Sequence, residues 1–422
     1  MRERVALKGD VIIVGGGLAG LACATRLHKR GVNFLIVESS DALGGRVRTD
    51  CVDGFLLDHG FQVYLSAYPE AGKLLNLESL GLCKFRPGAL VFKGGKFRRL
   101  MDVFRCPGHA VGTAMQPIGT IKDKLLVGKL RLAAKRFTDV NIGEHQQRTT
   151  ESYLRDYGFS ESMIDTFFRA FYGGIFLERD LRTSSRMFQF TFKMFADGFA
   201  TLPAKGMQCI PNQLAERLPT EAIRLGSRVR AVGQHTVTME TGEILDADAV
   251  VVATDSETAR ALVPSLDRKK LAWRSVIGMN FVANHSPLGE PIIALNGNNE
   301  GLVNNVCVLS DVSPHYAPKG KSLISVSVLG NNQEDNLVDQ VREELLTWFG
   351  TTVRDWRHLR SYSIRKALPE QGPTFGASKA VHEQHSGIYF CGDYLSAASI
   401  EGAIRSGNSC AESILNSQEF IS

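Results

Sequence analysis

Glycines at 15, 17 and 20, an acid at 38 and an arginine at 46 are the residues whose types and spacing could do chemistry. Gly15-Gly16-Gly17-Leu18-Ala19-Gly20 fits G-x-G-x-x-G. Gly15 permits a tight turn, Gly17 lets the backbone approach a pyrophosphate, and Gly20 allows a helix to pack closely on a strand. Ala19 belongs to the first helical turn, whose free N–H groups and positive dipole end favour an anion. A glycine-rich turn can also be purely structural, and Glu38 decides between the two readings. It follows Gly15 by 23 positions, near the separation of about 20 expected for a carboxylate that binds adenosine ribose hydroxyls. Ser39 would lie beside the adenosine, and the carboxylate would repel a 2′-phosphate, which disfavours NADP. Gly44-Gly45-Arg46 then carries a guanidinium on a double glycine, able to reach a pyrophosphate from the side opposite the first helix.

These residues need particular elements to position them. Val11 to Val14 is a short apolar run of buried-strand type, and a helix pattern follows through Leu18, Leu21, Ala22 and Leu27. Gly31 marks its stop, and Phe34 to Val37 reads as a second strand. From about Ala71 to Met194 the pattern is mainly helical, with loops expected near Gly94-Gly95 and Gly173-Gly174. Around Arg228 to Ala253 the period changes to two: a hairpin is expected at Thr241-Gly242, then a buried strand from Ala249 to Ala253. Ser275 to Val328 fits a second sheet, followed by a helix from Asp335 to Phe349. Gly387 to Cys391 reads as a strand, and Ser399 as the N-cap of a helix from Ile400 to about Leu415. Nucleotide-type patterns at the start, middle and end imply one domain assembled from separated segments.

The chain has 422 residues, 44% hydrophobic and 22% charged, a globular composition sufficient for two or three domains. A net charge of +5 spread over that length gives no reason to expect nucleic acid as a partner. The eight cysteines include no Cys-x-x-Cys pair, so no metal site is expected and a reducing, cytoplasmic compartment is the simplest reading. No uncharged stretch reaches the roughly 20 apolar residues that span a bilayer. Lys122, Lys124, Lys129, Arg131, Lys135 and Arg136, interleaved with Leu125, Leu126, Leu130 and Leu132, could rest peripherally on an anionic membrane, although a solvated basic face is the simpler account.

The glycine motif, Glu38 and Gly44-Gly45-Arg46 together resemble the opening of the FAD-dependent amine oxidase, protoporphyrinogen oxidase and phytoene desaturase superfamily. The resemblance continues through Leu202 to Met207, Arg228-Val229, Ala249 to Thr254, and Gly392-Asp393-Tyr394 with Ser399 to Gly407. It implies an α/β chain with a Rossmann-type, glutathione-reductase-like FAD domain (1–62, 203–265 and 365–422) and an inserted mixed α+β substrate domain (63–202 and 266–364). It also implies that Val229 meets adenine through its backbone and that Asp393, beside Gly392, accepts hydrogen bonds from ribityl hydroxyls. The helix starting at Ile400 would aim its positive end at the flavin N1–C2=O edge. Asp58-His59-Gly60-Phe61-Gln62 would run under the ring, Gly60 giving room and Gln62 facing N5.

The activity implied is hydride removal from a small apolar or amine substrate to flavin N5, with oxygen, a quinone or another acceptor taking the electrons. Two departures stand out. No lysine lies between Trp273 and Pro318, where amine oxidases carry one, and Cys391 sits inside a strand, so FAD is expected to be noncovalent and no catalytic residue is assigned. Tyr64, Tyr68, Phe171, Tyr172, Tyr316 and Tyr394 are candidates for aromatic walls, though each reads first as core mass. His59 and His315 have no carboxylate partner by spacing. A non-catalytic lipid- or protein-binding protein of the GDP-dissociation-inhibitor type is the alternative, disfavoured because both flavin motifs are intact. An NAD-only dehydrogenase would leave the closing motif unused.

Overall fold

The computed structural model describes residues 4–6, 10–134, 148–265, 270–332, 334–374, 383–385 and 387–417. Its first layer is a six-stranded sheet in the order Ile223–Arg224, Asn33–Val37, Asp10–Val14, Ala249–Val252, Ile388–Phe390, Glu383–His385. All neighbours pair in parallel except the last. Val11 and Ile13 pack among residues of the helices Leu18–Lys29 and Ile400–Leu415. Ile12 and Val14 pack the other way, against Val237, Met239 and Leu245 of a small four-stranded sheet. A strand covered on both faces must be apolar on both, which is why these strands read as uninterrupted runs.

The second large sheet has seven strands in the order Arg357–Pro369, Trp273–Ala283, Ser322–Leu329, Val303–Val308, Ile293–Asn296, Gly88–Lys93, Lys96–Met101. Alternation again divides its faces. Leu90 and Phe92 turn toward the helix Leu337–Phe349, whereas Ala89 and Val91 turn toward helices between Thr150 and Asp197.

The hairpin at Thr241-Gly242, the strand before Thr254, the second sheet and the closing helix Ile400–Leu415 capped by Ser399 all form as expected. The region 71–194 is less helical than its pattern suggests, because Gly88–Lys93 and Lys96–Met101 form a hairpin. Gly94 and Gly95 close it with φ of 58° and 74°, the paired positive φ of a tight two-residue turn. Gly173 and Gly174, expected in a loop, lie inside the helix Arg169–Phe176. A Cβ on Gly174 would come within 2.9 Å of the Asn304 amide, so tertiary packing against the sheet overrides the usual glycine penalty. Among the described residues no helix is long and apolar enough to cross a membrane.

Candidate functional site

One cavity of about 1110 Å³ runs from the glycine turn of the first sheet to the helical layer of the second. Of the residues singled out from the sequence, Gly15, Gly17, Ala19, Glu38, Ser39, Gly44, Gly45 and Arg46 line one end of it. Gly60, Phe61, Gln62, Gly392, Asp393 and Ile400 line its middle. Gly20 stands behind the wall, where a Cβ would meet the Gly15 carbonyl at 2.1 Å, and Val229 is replaced on the wall by its neighbour Arg228. Thr254, Asp255 and Thr258, which follow the buried strand Ala249–Val252, also line it, as does Lys366 of the strand Arg357–Pro369; Asp255 and Thr258 carried no sequence signal beyond their place after the buried strand.

The cradle is built by short-range constraint. Gly15 turns at φ 110°, and a Cβ there would come within 2.8 Å of the Ala253 carbonyl oxygen, a conformation and clearance only glycine supplies. Glu38 Oε2 accepts the Gly16 N–H at 2.7 Å while Oε1 accepts the Ser40 N–H at 2.8 Å, so one carboxylate fixes both the glycine turn and the loop opposite. A Cβ on Gly17 would meet nothing within 4 Å. That open space stands over the start of Leu18–Lys29, a helix with no side-chain cap and no acid in its first turn. The free N–H groups and Arg46 on the facing double glycine therefore suit a pyrophosphate, and the residues present fit a dinucleotide such as FAD. Arg46 reaches across to Asp393 at 2.6 Å and to the Ala367 carbonyl at 3.1 Å, which brings the first and last motifs into one site.

Between the cradle and the far chamber, Gly60 (φ 81°) lies against Gly278, whose Cβ would come within 3.0 Å of the Gly60 Cα. The Gln62 amide nitrogen donates to the carbonyls of Arg46 (2.8 Å) and His59 (3.0 Å), holding this segment to the cradle. His59 does have a carboxylate in space: its Nε2 is 3.0 Å from Asp50 and its ring stacks on Tyr362 at 4.4 Å. His315 is exposed. Glu401, buried in the first turn of the closing helix, accepts the N–H groups of Glu70 and Ala71, each at 2.9 Å. Burial pushes its carboxyl up from the ordinary range, offset in part by those bonds.

Asp58 is the hidden joint of the site. It accepts from Thr49, from the Met207 N–H at 3.0 Å and from the Tyr316 hydroxyl at 2.8 Å, and burial raises its pKa to about 6. A raised acid stabilises the fold fully below its unfolded pKa near 4, and that contribution is lost as pH rises through 6. The expected loss is about 3 kcal/mol between pH 4 and 7. Urea denaturation of wild type and Asp58→Asn across that range should show the stability difference shifting toward the variant by this amount. A difference that stays flat with pH would rule the raised carboxyl out.

The far end is an aromatic chamber. Phe167, Phe171, Phe192, Phe195 and Phe199 stand on its wall with Tyr68, Phe85 and Tyr172, whereas Tyr64, Tyr316 and Tyr394 pack elsewhere in the core. Phe167 lies in a π turn, Ile164–Phe168, leading into Arg169–Phe176. Its ring stacks on Phe171 at 5.6 Å, the i,i+4 relation of one helix face. Arg105 and Arg131 close the mouth, lying 4.3 Å over the Phe199 ring and 5.1 Å over the Phe104 ring respectively. Burial and the neighbouring Arg131 charge lower the Arg105 pKa. Only Lys124 and Lys366 contribute lysines to the described wall, and Lys366 is held by Asp255 (3.1 Å) and Glu257 (2.8 Å). From the strand Trp273–Ala283, Arg274 and Val276 face the cavity.

A parallel nucleotide sheet whose cradle opens into an apolar chamber roofed by a second sheet defines a dinucleotide-dependent oxidoreductase. The profile described as "Flavin containing amine oxidoreductase" matches residues 18–415, and the chain belongs to that family. It is 22% identical to the 15-cis-phytoene desaturase of Narcissus pseudonarcissus over 98% of this chain and 80% of that protein. With the coproporphyrinogen III oxidase of Bacillus subtilis (strain 168) it shares 23% identity, covering 79% of each chain. The match to polyamine oxidase 3 of Oryza sativa subsp. japonica, 26% identical, covers 63% of this chain and just 55% of that one. In fold it is similar to a redesigned putrescine oxidase, with a TM-score of 0.76 at 18% identity over 97% of this chain and 99% of that one. The likeness to cyclohexylamine oxidase from Brevibacterium oxydans IH-35A has a TM-score of 0.71 at 16% identity, covering 96% and 98%. The chain is thus an FAD-dependent oxidoreductase, and the non-catalytic alternative finds no support.

Proposed function

We propose that the enzyme oxidises an elongated apolar small molecule, with the cofactor end formed by 1–62, 203–265 and 365–422 and the substrate end by the rest. When bound, FAD supplies the two-electron oxidation, taking hydride from a substrate carbon. The observation that carries the reading is the continuity of one cavity from cradle to aromatic chamber, with Gly60 and Phe61 at the junction. The chain's own part is to place the substrate carbon at that junction and exclude water with phenylalanine rings. Arg105 and Arg131 at the mouth share one carboxylate, Asp102 (3.9 and 2.8 Å), and the net positive charge left there disfavours a polyamine relative to an apolar or anionic molecule. With Cys391 buried in the core, FAD is held noncovalently, by Arg46, Glu38 and Asp393 among others. Oxygen or a quinone is the proposed acceptor, and the cytoplasm, with peripheral contact to a membrane, the proposed setting.

The test begins with the visible spectrum of the purified protein and chromatography of the cofactor released on denaturation. FAD in near-equimolar amount is expected. Anaerobic bleaching should follow addition of polyenes or porphyrinogens and not of putrescine. Bleaching by putrescine alone would overturn the substrate assignment, and a colourless protein that rejects FAD would overturn the cofactor site.

A further inference from the structure

Six of the seven large hydrophobic side chains most exposed on the described surface fall in one stretch: Phe104, Val111, Met115, Ile121, Leu125 and Leu132, each between 53% and 77% exposed. Phe104 lies in a turn ahead of them; the other five sit on the short helix Ala110–Met115, which buries none of its residues, and on Ile121–Ala134, which buries just Asp123, Leu130 and Ala134. A helix with no buried residue gains almost nothing from the core beneath it. Clustered apolar exposure of this kind marks a surface that meets something else.

Charge identifies the occupant. Between residues 103 and 134 the sequence has five Lys or Arg and a single acid, Asp123. That acid is buried and spent on Thr120 and Ser160, and Asp102, just ahead of the stretch, is taken up by Arg131 at 2.8 Å, so the excess positive charge of the exposed face rests on its lysines. Lys122 and Lys129 are exposed beside Ile121 and Leu125. Apolar side chains among lysines that have no acidic partner among the described residues match an acyl boundary beneath anionic headgroups. Lys135 and Arg136, part of the same basic run, lie outside the described residues. The patch also adjoins the chamber: Phe104 is 53% exposed and lines the cavity, as do Thr113, Val127, Gly128 and Arg131.

We propose that the face from Phe104 to Leu132 rests on an anionic lipid bilayer and opens the chamber mouth onto it. The docking surface stands on exposure and charge alone; entry of substrate from the bilayer rests on the apolar-substrate reading given above. Flotation of the FAD-loaded protein with phosphatidylcholine vesicles, with and without phosphatidylglycerol, tests it. Wild type should float, more strongly with phosphatidylglycerol. The triple variant Val111→Ser, Met115→Ser, Leu125→Ser should lose binding about tenfold or more, while Leu225→Ser, changing the exposed leucine outside the patch, should float like wild type. Lys122→Gln with Lys129→Gln should remove the preference for the anionic lipid. The proposal falls if wild type, yellow and reducible, stays off the vesicles, or if the triple variant floats unchanged. It falls equally if light scattering finds a lipid-free dimer that the triple variant abolishes, since a second copy then covers the patch. Patch-dependent flotation without bleaching by any apolar substrate would uphold the docking surface and overturn the substrate reading instead.

Discussion

Arg46→Ala is expected to raise the FAD dissociation constant about 100-fold, the equivalent of losing charge-assisted hydrogen bonds worth roughly 2–3 kcal/mol. The variant does a second thing. Asp393, whose side chain is just 6% exposed, loses its 2.6 Å partner and is left as a buried, uncompensated carboxylate. Breaking such a pair costs about 3 kcal/mol even without cofactor, so a poorly flavinated Arg46→Ala protein could be read as merely unstable. Arg46→Ala combined with Asp393→Asn separates the effects. Neutralising Asp393 should restore much of the apo stability and none of the FAD affinity, because the guanidinium facing the helix N-terminus is still missing. Titration of FAD into each apo protein, with denaturant melts alongside, reads both quantities. Full affinity in a folded Arg46→Ala protein would remove Arg46 from the cofactor site.

The cradle was legible because its chemistry is written at short range. Glycines at 15, 17 and 20 and the acid at 38 act on one another within a single strand-helix-strand unit, and the structure shows the Glu38 carboxylate bonded to the turn itself. The closing motif was legible for the same reason, with Ser399 accepting the Gly402 N–H at 3.0 Å. The chamber was not. Phe167 and Phe171 share one helix face with the cavity while Phe159 and Phe188 fill the core beside them. A single sequence gives all four the same meaning, since burial against a core and exposure to an internal cavity ask for the same side chain. The Asp58 joint was equally hidden, because its partners at 49, 207 and 316 come from three distant segments. The exposed face of 104–132 was half visible: the basic run could be read, but not that Val111 and Met115 lack any cover.

Two glycines that look alike in sequence should respond in opposite ways. Gly17 has φ of −73° and open space where a Cβ would go. Gly17→Val therefore needs no left-handed backbone and displaces no neighbour, yet its branches fill the space where a pyrophosphate must approach the helix N-terminus. Loss of FAD affinity by about 1000-fold is expected, since both the anion contact and the steric fit go together, with apo stability changed by no more than about 1 kcal/mol. Gly407 lies in the closing helix, where a Cβ would meet the Ala19 carbonyl at 2.1 Å and the Ala22 Cβ at 3.0 Å. Gly407→Ala must push the closing helix off Leu18–Lys29, at a cost of about 1–3 kcal/mol or more. That displacement moves the Ile400 end and the cradle together, so FAD affinity falls as a consequence of packing. Denaturant melts of the apo proteins tell the two apart: Gly407→Ala should melt early and Gly17→Val should not. Retention of FAD by Gly17→Val would show that the space above Gly17 is not where the pyrophosphate lies, and with it the anion-binding role of the first helix would have to be abandoned.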